Sequence, residues 1–283
     1  MQRFLQNVFD YSNFMTRKIA MDSAELPVAL TIAGSDSGGG AGIQADLLTF
    51  ATHEVFGTTA ITCLTAQNPG GVAAIEVLPA AFVAAQLRQV QDYFAVRALK
   101  TGMLYSAAII GVVAEFLRAH REIPAVVDPV MVASSGAVLL PPEALAVVRA
   151  QLLPLAAVVT PNLDEVGVLL GEKPATAAEM ARAGAALARR HGVPFLIKGG
   201  HLAGGELTDV LVAPDGTPRL FTSPRIAGVD AHGSGCTLSA AIAAQLAKGR
   251  RLEEAVVDAR DYLRRGLERA LPVRGRRFIN HRP

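Results

Sequence analysis

The feature that most constrains the fold is the alternation of short apolar runs with longer segments of helical periodicity. Short continuous apolar runs are typical of buried strands, and apolar residues at every third or fourth position are typical of helices. Strands are predicted at residues 28–33, 58–64, 97–100, 125–129, 156–160, 195–198, 208–213 and 219–223. Helices are predicted at residues 43–54, 79–94, 106–120, 163–170, 176–191, 233–248 and 252–270, and one more opens at 141–142.

Strands separated by helices predict repeated βαβ units, and therefore an α/β fold with a mostly parallel central sheet and helices on both faces. The segment 214–217 reads Pro-Asp-Gly-Thr between two predicted strands, which favours a hairpin and an antiparallel edge. Ligands of such sheets bind beyond the C-terminal ends of the strands. The glycine-rich and polar segments that follow the predicted strands are therefore expected to share one rim.

Composition excludes several classes of protein. Of the 283 residues, 51% are hydrophobic and 18% charged, which is unlike a disordered chain, and the length is near the limit for one hydrophobic core. A net charge of +2 gives no broad basic field, so no nucleic-acid partner is expected. The sequence has no unbroken apolar run of the roughly 18 residues that a membrane span needs. Two cysteines, Cys63 and Cys236, make no disulfide framework, and a cytoplasmic location is expected.

Three regions are expected along the chain. Residues 1–26 form an N-terminal extension that we expect to be loosely ordered or docked on a partner; an upstream start codon and a weak transit peptide are alternatives. Residues 27–271 form one α/β domain, because no linker or internal repeat interrupts them. Residues 272–283 form a basic C-terminal tail, which we expect to be loose.

A glycine-rich loop follows the first predicted strand. Residues 33–42 contain five glycines, which allow a ligand to approach the backbone closely. Residues 40–45 also match the loose GxGxxA dinucleotide pattern, but the second strand ends at 64–67 without an acidic residue for a ribose. A dinucleotide site is therefore disfavoured, and a turn without a ligand is the other alternative.

A second motif, residues 232–237, opens an apolar helix with small residues. Free N–H groups at a helix N-terminus, together with the helix dipole, make an anion site that could stabilise a transferred phosphoryl group. Cys236 lies in this first turn, where a lowered thiol pKa is expected. Alternatively, Cys236 is only a small buried apolar side chain, as most free cysteines are.

Polar residues at three further strand ends are candidates for a phosphate and cation site. Asn162 and Glu165 share one helix face. Without any ligand, a helix cap at Asn162 and a solvated carboxylate at Glu165 would also explain the pair. Carboxylates such as Glu165 and Asp128 are hard oxygen ligands that suit Mg²⁺ near phosphates. Lys198, followed by Gly199 and Gly200, could meet phosphate or lie at the surface. The Walker A motif and the protein-kinase signatures are absent from the sequence.

Together these motifs resemble the hydroxymethylpyrimidine and phosphomethylpyrimidine kinases of thiamine biosynthesis, which have the ribokinase-like fold. The matching segments keep the family's order over roughly residues 27–270, at 33–47, 65–68, 100–104, 127–131, 160–162, 198–201 and 232–239. The resemblance implies a three-layer sandwich. It also implies ATP and Mg²⁺ as cofactors, a pyrimidine alcohol and its monophosphate as substrates, and a homodimer.

Roles for individual residues follow from the same resemblance. Gln67 would face the aminopyrimidine edge, because a side-chain amide offers a donor and an acceptor, and Asp46 would accept from the amino group. The other pocket residues would be Gly34, Met103 and Val130. Nucleotide would contact Asn162, Lys198 and Gly200, and the metal would contact Asp128 and Glu165.

Catalysis is assigned by resemblance to the 232–237 motif. Cys236 would accept the proton of the substrate hydroxyl, beside the backbone amides of Gly233, Ser234 and Gly235. Ser234 stands where threonine is frequent in the family, and it keeps the hydroxyl. Residues 132–138 are expected to form a flap over the site. A pyridoxal kinase of the same subgroup and a non-catalytic pyrimidine-binding module are the alternatives.

Overall fold

The computed structural model describes residues 25–131, 140–200, 202 and 204–283. Residues 1–24 of the predicted extension 1–26, the predicted flap 132–138 and His201 lie outside the described residues. One sheet contains β1 (Val28–Asp36), β2 (Phe56–Asn68), β3 (Gly71–Val77), β4 (Val96–Thr101), β5 (Ala125–Val127), β6 (Val158–Val159), β7 (Phe195–Ile197), β8 (Glu206–Val212) and β9 (Pro218–Pro224). The helices are α1 (Gly42–Thr52), α2 (Ala80–Tyr93), α3 (Ala107–Ala119), α4 (Pro142–Val147), α5 (Leu163–Leu170), α6 (Ala177–His191), α7 (Ser234–Ala247) and α8 (Leu252–Glu268).

The sheet has the order β3-β2-β1-β4-β5-β6-β7-β8-β9, and its central strands are parallel. The β8–β9 hairpin gives the antiparallel edge that the turn at 214–217 predicted. A second antiparallel edge, β3 on β2, was not predicted; most residues of β3 are exposed at the edge of the sheet.

Neighbouring residues of one strand point to opposite faces of the sheet, and each face carries its own core. Leu30 of β1 and Leu99 of β4 pack in a cluster with α2, α3, α5 and α6. Ala29 and Ala98, one residue earlier on each strand, pack in the other cluster with α1, α7 and α8. The α/β class with three layers is therefore confirmed.

The basic tail is packed, so the expectation that residues 274–283 are loose was wrong. The strands β10 (Leu271–Val273) and β11 (Arg276–Phe278) form a small antiparallel hairpin. Ile279 and His281 then turn inward and are buried. The expectation of a loose tail came from the charge of its exposed arginines. That charge does not indicate that Ile279 and His281 are buried and hold the segment in place. Within the described ranges, no helix is both long and apolar enough to cross a membrane.

Candidate active site

Several predicted site residues meet at the C-terminal ends of the parallel strands. Lys198 after β7 forms an ion pair with Asp128 after β5, with 2.8 Å between Nζ and Oδ1. Asn162 after β6 pairs with Lys198 through a parallel β-bridge. Gly235 faces the pair, because a Cβ on Gly235 would lie 3.1 Å from Lys198 Nζ and 3.6 Å from Asp128 Oδ2. Sequence positions more than 100 residues apart in the chain therefore form one cluster, as the shared rim predicted.

The two glycine-containing loops of the sequence touch each other. Gly233 has a left-handed backbone with φ of +83°, and a Cβ there would lie 1.7 Å from the carbonyl oxygen of Gly40. Only glycine fits this position without moving the facing backbone. The 33–42 loop therefore approaches the backbone of the 232–237 loop closely, and the predicted approach of a ligand stays a prediction.

Asp36 organises the first of these loops. Its carboxylate accepts hydrogen bonds from the backbone N–H groups of Gly38, Gly40 and Ala41, at 2.7, 3.1 and 2.8 Å. Its Oδ2 also lies 3.1 Å from Nε2 of His232, at the start of the second loop. Because the carboxylate already occupies these N–H groups, they are not available to bind phosphate. Sequence reasoning missed both residues, although an aspartate just before glycines is a recognisable turn signal.

The Asp36–His232 contact is electrostatically favourable. Burial alone would raise the pKa of Asp36, but the hydrogen bonds from His232, Gly38 and Ala41 outweigh it and lower that pKa. The hydrogen bond to Asp36 raises the pKa of His232, although partial burial opposes the shift. The contact therefore strengthens as the imidazole becomes charged, and it ties the two loops together.

The N-terminus of α7 offers donors toward the rim. Ser234 N–H donates to the Ala231 carbonyl at 3.0 Å. The N–H groups of Gly233, Gly235 and Cys236, by contrast, have no acceptor among the described residues. Free amides at a helix start are the arrangement that binds anions, and the Lys198 ammonium lies beside Gly235. This geometry is the one that the sequence motif predicted.

The prediction of a lowered pKa for Cys236 was wrong. Cys236 is half-buried in the first turn of α7. Burial of the thiol raises its pKa, and the positive charge of Lys100 and a hydrogen bond from the Gly42 N–H oppose this only in part. The negative charges of Asp46 and Asp128 add to the rise. The protonated thiol is therefore the dominant form at neutral pH.

Asp46 does not lie where a substrate could reach it in this structure. Its carboxylate accepts from Lys100 Nζ at 2.9 and 2.8 Å and from the Thr31 hydroxyl at 2.6 Å. All three side chains are buried. Burial raises the pKa of Asp46, and the positive charge of Lys100 opposes this rise only in part. Burial alone would lower the pKa of Lys100, but the negative charge of Asp46 outweighs burial and the pKa is raised. The sequence did not reveal this ion pair, because nothing in it links residues 46 and 100.

Glu165 and Asp128 form the candidate cation site. Glu165 Oε2 accepts from Asn162 N–H at 2.7 Å, and Asn162 Oδ1 accepts in return from Glu165 N–H at 2.9 Å. This capping box explains the pattern of Asn162 and Glu165 without a ligand. Burial raises the pKa of Glu165 to about 7; Lys198 opposes the shift, and Asp128 adds to it.

The carboxylates of Asp128 and Glu165 suit Mg²⁺ in the way that proteins usually bind this ion next to phosphate groups. Mg²⁺ prefers oxygen ligands and takes one or two carboxylates together with substrate phosphates and water. Asp128 and Glu165 interact electrostatically and supply two such carboxylates. The described residues hold no cluster of three or more acidic, histidine or cysteine side chains, so a cage made only by the protein is not formed there.

The predicted substrate pocket is partly assembled. A Cβ on Gly34 would lie 2.7 Å from Cys63 Sγ and 3.2 Å from Met103 Cε, so glycine is needed for this wall. Gln67 is half-buried, and its backbone N–H and carbonyl exchange hydrogen bonds with the Ser37 hydroxyl. Its side-chain amide has no partner within the described part of the chain, which leaves it free for a ligand. Val130 is half-buried after β5.

The chain is similar to known proteins over most of its length. The profile of the phosphomethylpyrimidine kinase family matches residues 36–279. A hydroxymethylpyrimidine/phosphomethylpyrimidine kinase of Rhizobium meliloti is 50% identical over 244 residues, which are 86% of this chain and 91% of that protein.

Two solved structures share the fold. A phosphomethylpyrimidine kinase of Clostridium difficile superposes with a TM-score of 0.75 at 39% identity, covering 85% of this chain and 99% of that one. A pyridoxal kinase of Bacillus subtilis, solved with ADP, gives a TM-score of 0.84 at 36% identity, covering 91% and 98%. The ribokinase-like fold that the resemblance implied is thereby confirmed. The match over most of the chain shows that this protein belongs to the phosphomethylpyrimidine kinase family.

Proposed function

We propose that this kinase uses ATP with Mg²⁺ to phosphorylate 4-amino-5-hydroxymethyl-2-methylpyrimidine and then its monophosphate, two steps of thiamine biosynthesis. The observation that carries the proposal is the N-terminus of α7. Its N–H groups at Gly233, Gly235 and Cys236 have no acceptor among the described residues, and Gly235 lies beside the Lys198 ammonium. Donors fixed in advance stabilise the charge of a transferred phosphoryl group, and positioning provides most of the rate in such reactions.

Cys236 is the proposed proton acceptor. The substrate oxygen forms its bond to the γ-phosphorus, the bond from that phosphorus to the bridging oxygen breaks, and the hydroxyl proton passes to the Cys236 thiolate. Because burial raises the pKa of Cys236, the thiolate is a minor form at neutral pH, and Lys100 is the charge that favours it. Turnover is therefore expected to rise with pH above neutrality.

The nucleotide and the cation are assigned to the neighbouring strand ends. Lys198, Asn162 and Gly200 would line the phosphates and the adenosine, and Asp128 and Glu165 would hold Mg²⁺. When bound, Mg²⁺ supplies positive charge to the phosphate oxygens. Ion pairing with Asp128 keeps the Lys198 ammonium fixed at the rim, where it faces the α7 amides.

The pyrimidine would lie against Gly34, Met103 and Val130, with the free amide of Gln67 at its edge. Asp46 is no longer proposed as a direct ligand, since both its oxygens bind Lys100. Pyridoxal is the second candidate substrate, and the similarity to a Bacillus subtilis pyridoxal kinase favours testing it.

The test is a mass-resolved product assay with Mg·ATP and, separately, the pyrimidine alcohol, its monophosphate and pyridoxal. Diphosphate from the first two substrates is expected. Product from pyridoxal alone would assign the pyridoxal kinase, and saturable binding without any phosphorylated product would leave a binding module. Gln67→Leu is the matched variant: it should raise the KM for the pyrimidine alcohol and leave the KM for ATP unchanged.

Assembly, location and domain limits are also proposals. We expect a homodimer in the cytoplasm, with no nucleic-acid or membrane partner. The exposed edge strand β3, with Val72 at its surface, is a candidate dimer face. Light scattering of the wild type and of Val72→Lys tests this, because a dimer through β3 would weaken in the variant. A chain beginning at Met21 should keep its activity if the extension 1–26 is dispensable for residues 27–271.

A further inference from the structure

Residues 279–282 are held between three helices on one side of the sheet. The carbonyl of His281 accepts from the Thr52 hydroxyl of α1 at 2.6 Å and from the Tyr262 hydroxyl of α8 at 2.9 Å. Asn280 N–H donates to the Gly266 carbonyl at 3.0 Å, and Ile279 is buried. This segment therefore has a fixed position relative to α1 and α8.

From that position the His281 side chain reaches α7. Its Nε2 lies 3.1 Å from Oγ1 of Thr237, and both side chains are buried. The Thr237 hydroxyl donates its proton to the Gly233 carbonyl at 2.9 Å, so its oxygen accepts from His281 Nε2–H. Burial lowers the pKa of His281, which keeps the imidazole neutral and consistent with one ring N–H donor at Nε2.

Thr237 in turn fixes the first turn of α7. Its backbone N–H also donates to the Gly233 carbonyl, at 2.8 Å, so this carbonyl receives two hydrogen bonds from one residue. Gly233 is the left-handed residue that packs against the Gly40 carbonyl. A continuous chain of hydrogen bonds thus runs from His281 through Thr237 to Gly233.

We propose that His281 is a positioning residue for phosphoryl transfer, which holds Thr237 and Gly233 so that the free amides of the α7 N-terminus face the transferred group. The proposal rests on the function proposed above for those amides. His281 itself touches no reacting atom. Its loss is expected to misplace the donors slightly, and small misplacements of this kind cost up to about 100-fold in rate.

Two substitutions separate the hydrogen bond from simple packing. His281→Leu removes the donor, and His281→Gln keeps an N–H group at nearly the same distance from the backbone. The Leu variant should lower kcat by about 10- to 100-fold with the KM for ATP within about twofold. The Gln variant should recover most of the loss. Arg282→Ala, at the exposed neighbouring position, is the control and should behave as the wild type.

Thr237→Val probes the same contact from its other side. Combined with His281→Leu it should be no worse than the more damaging single variant, because both remove one hydrogen-bond chain. Circular dichroism melting checks folding, and Thr237→Val serves as the probe if His281→Leu does not fold. Wild-type kcat in the Leu variant, or equal loss in folded Leu and Gln variants, would overturn the proposal.

A readout without substrate separates this proposal from the proposed function. Amide hydrogen exchange of Ser234 and Thr237, whose N–H groups are hydrogen-bonded, should be faster in His281→Leu than in the wild type, and near wild type in His281→Gln. If the wild type phosphorylates none of the substrates, the proposed function fails, while faster exchange in the Leu variant still supports the link to α7. Unchanged exchange in that variant would refute the link.

Discussion

Replacing Lys100 by methionine tests how the buried charges beneath the site are balanced. The ammonium lies 2.9 and 2.8 Å from the two oxygens of Asp46, and both side chains are completely buried. Lys100→Met keeps the length of the side chain but leaves the Asp46 carboxylate with the Thr31 hydroxyl as its one hydrogen-bond partner among the described residues. Removing one member of a buried pair costs about 3–5 kcal/mol of unfolding free energy.

That loss is a large part of the roughly 5–15 kcal/mol that stabilises a typical protein. It corresponds to a fall in melting temperature of about 6–20 °C for a domain of this size class. The double variant Lys100→Met/Asp46→Leu removes both charges and should regain most of the loss, since an apolar pair in place of a buried ion pair is often neutral.

Urea unfolding near pH 7, followed by circular dichroism, measures the three free energies. A loss below about 1 kcal/mol in Lys100→Met, or a double variant no more stable than the single one, would refute the reasoning. The same charge lowers the pKa of Cys236. In a folded Lys100→Met protein, alkylation of Cys236 should therefore need a higher pH than in the wild type.

Four further substitutions test the loops and the cation site. Cys236→Ala should lower kcat by about 10²–10⁴-fold and leave the calorimetric Kd for ADP unchanged; wild-type turnover would reject the proton acceptor. Gly233→Ala should give little folded protein by size-exclusion chromatography, since its Cβ would lie 1.7 Å from the Gly40 oxygen, and a fully active variant would contradict this contact. His232→Gln should lower the free energy of unfolding more near pH 5.5 than near pH 8.5. The pKa of His232 is raised in the folded protein, so the stability that His232 contributes is complete below pH 6.5 and is lost as the pH rises through the raised pKa. Equal shifts of the urea midpoint at the two pH values would contradict this prediction. Glu165→Gln should raise the melting temperature near pH 8, because the buried carboxyl with a pKa of about 7 is ionised at a cost there. It should also raise the Mg²⁺ concentration needed for half-maximal rate, and an unchanged requirement would remove Glu165 from the cation site.

The fold was predictable where one kind of residue decides the local structure. The apolar run of β1 specifies a buried parallel strand, and Ser106, the first residue of the helix predicted at 106–120, caps α3. The strand β3 was missed because an exposed edge strand needs backbone partners more than apolar side chains. The packed segment after β11 was missed because one of the contacts that hold it, the hydrogen bond from the Thr52 hydroxyl to the His281 carbonyl, joins positions 229 residues apart.

The candidate site was predictable in its location but not in its electrostatics. The strand-end argument placed Asn162, Lys198 and Asp128 at one rim, and the structure brings them together. The sequence cannot show how deeply a thiol is buried, so the effect of the helix start on Cys236 was overestimated. The sequence also cannot show that Lys100 forms an ion pair with Asp46, since that pairing depends on how α1 packs against β4.

The contact between the two loops also bears on how the protein folds. Asp36 and His232 are separated by 196 residues along the chain, yet their contact lies within the site. Contacts between such distant positions form slowly, because a long loop must close before they give any stabilisation. During refolding, local helices and hairpins are therefore expected to form before the rim that carries the candidate site. Recovery of nucleotide binding is then a late event, and it reports that the whole chain, and not merely one half of it, has reached the native topology.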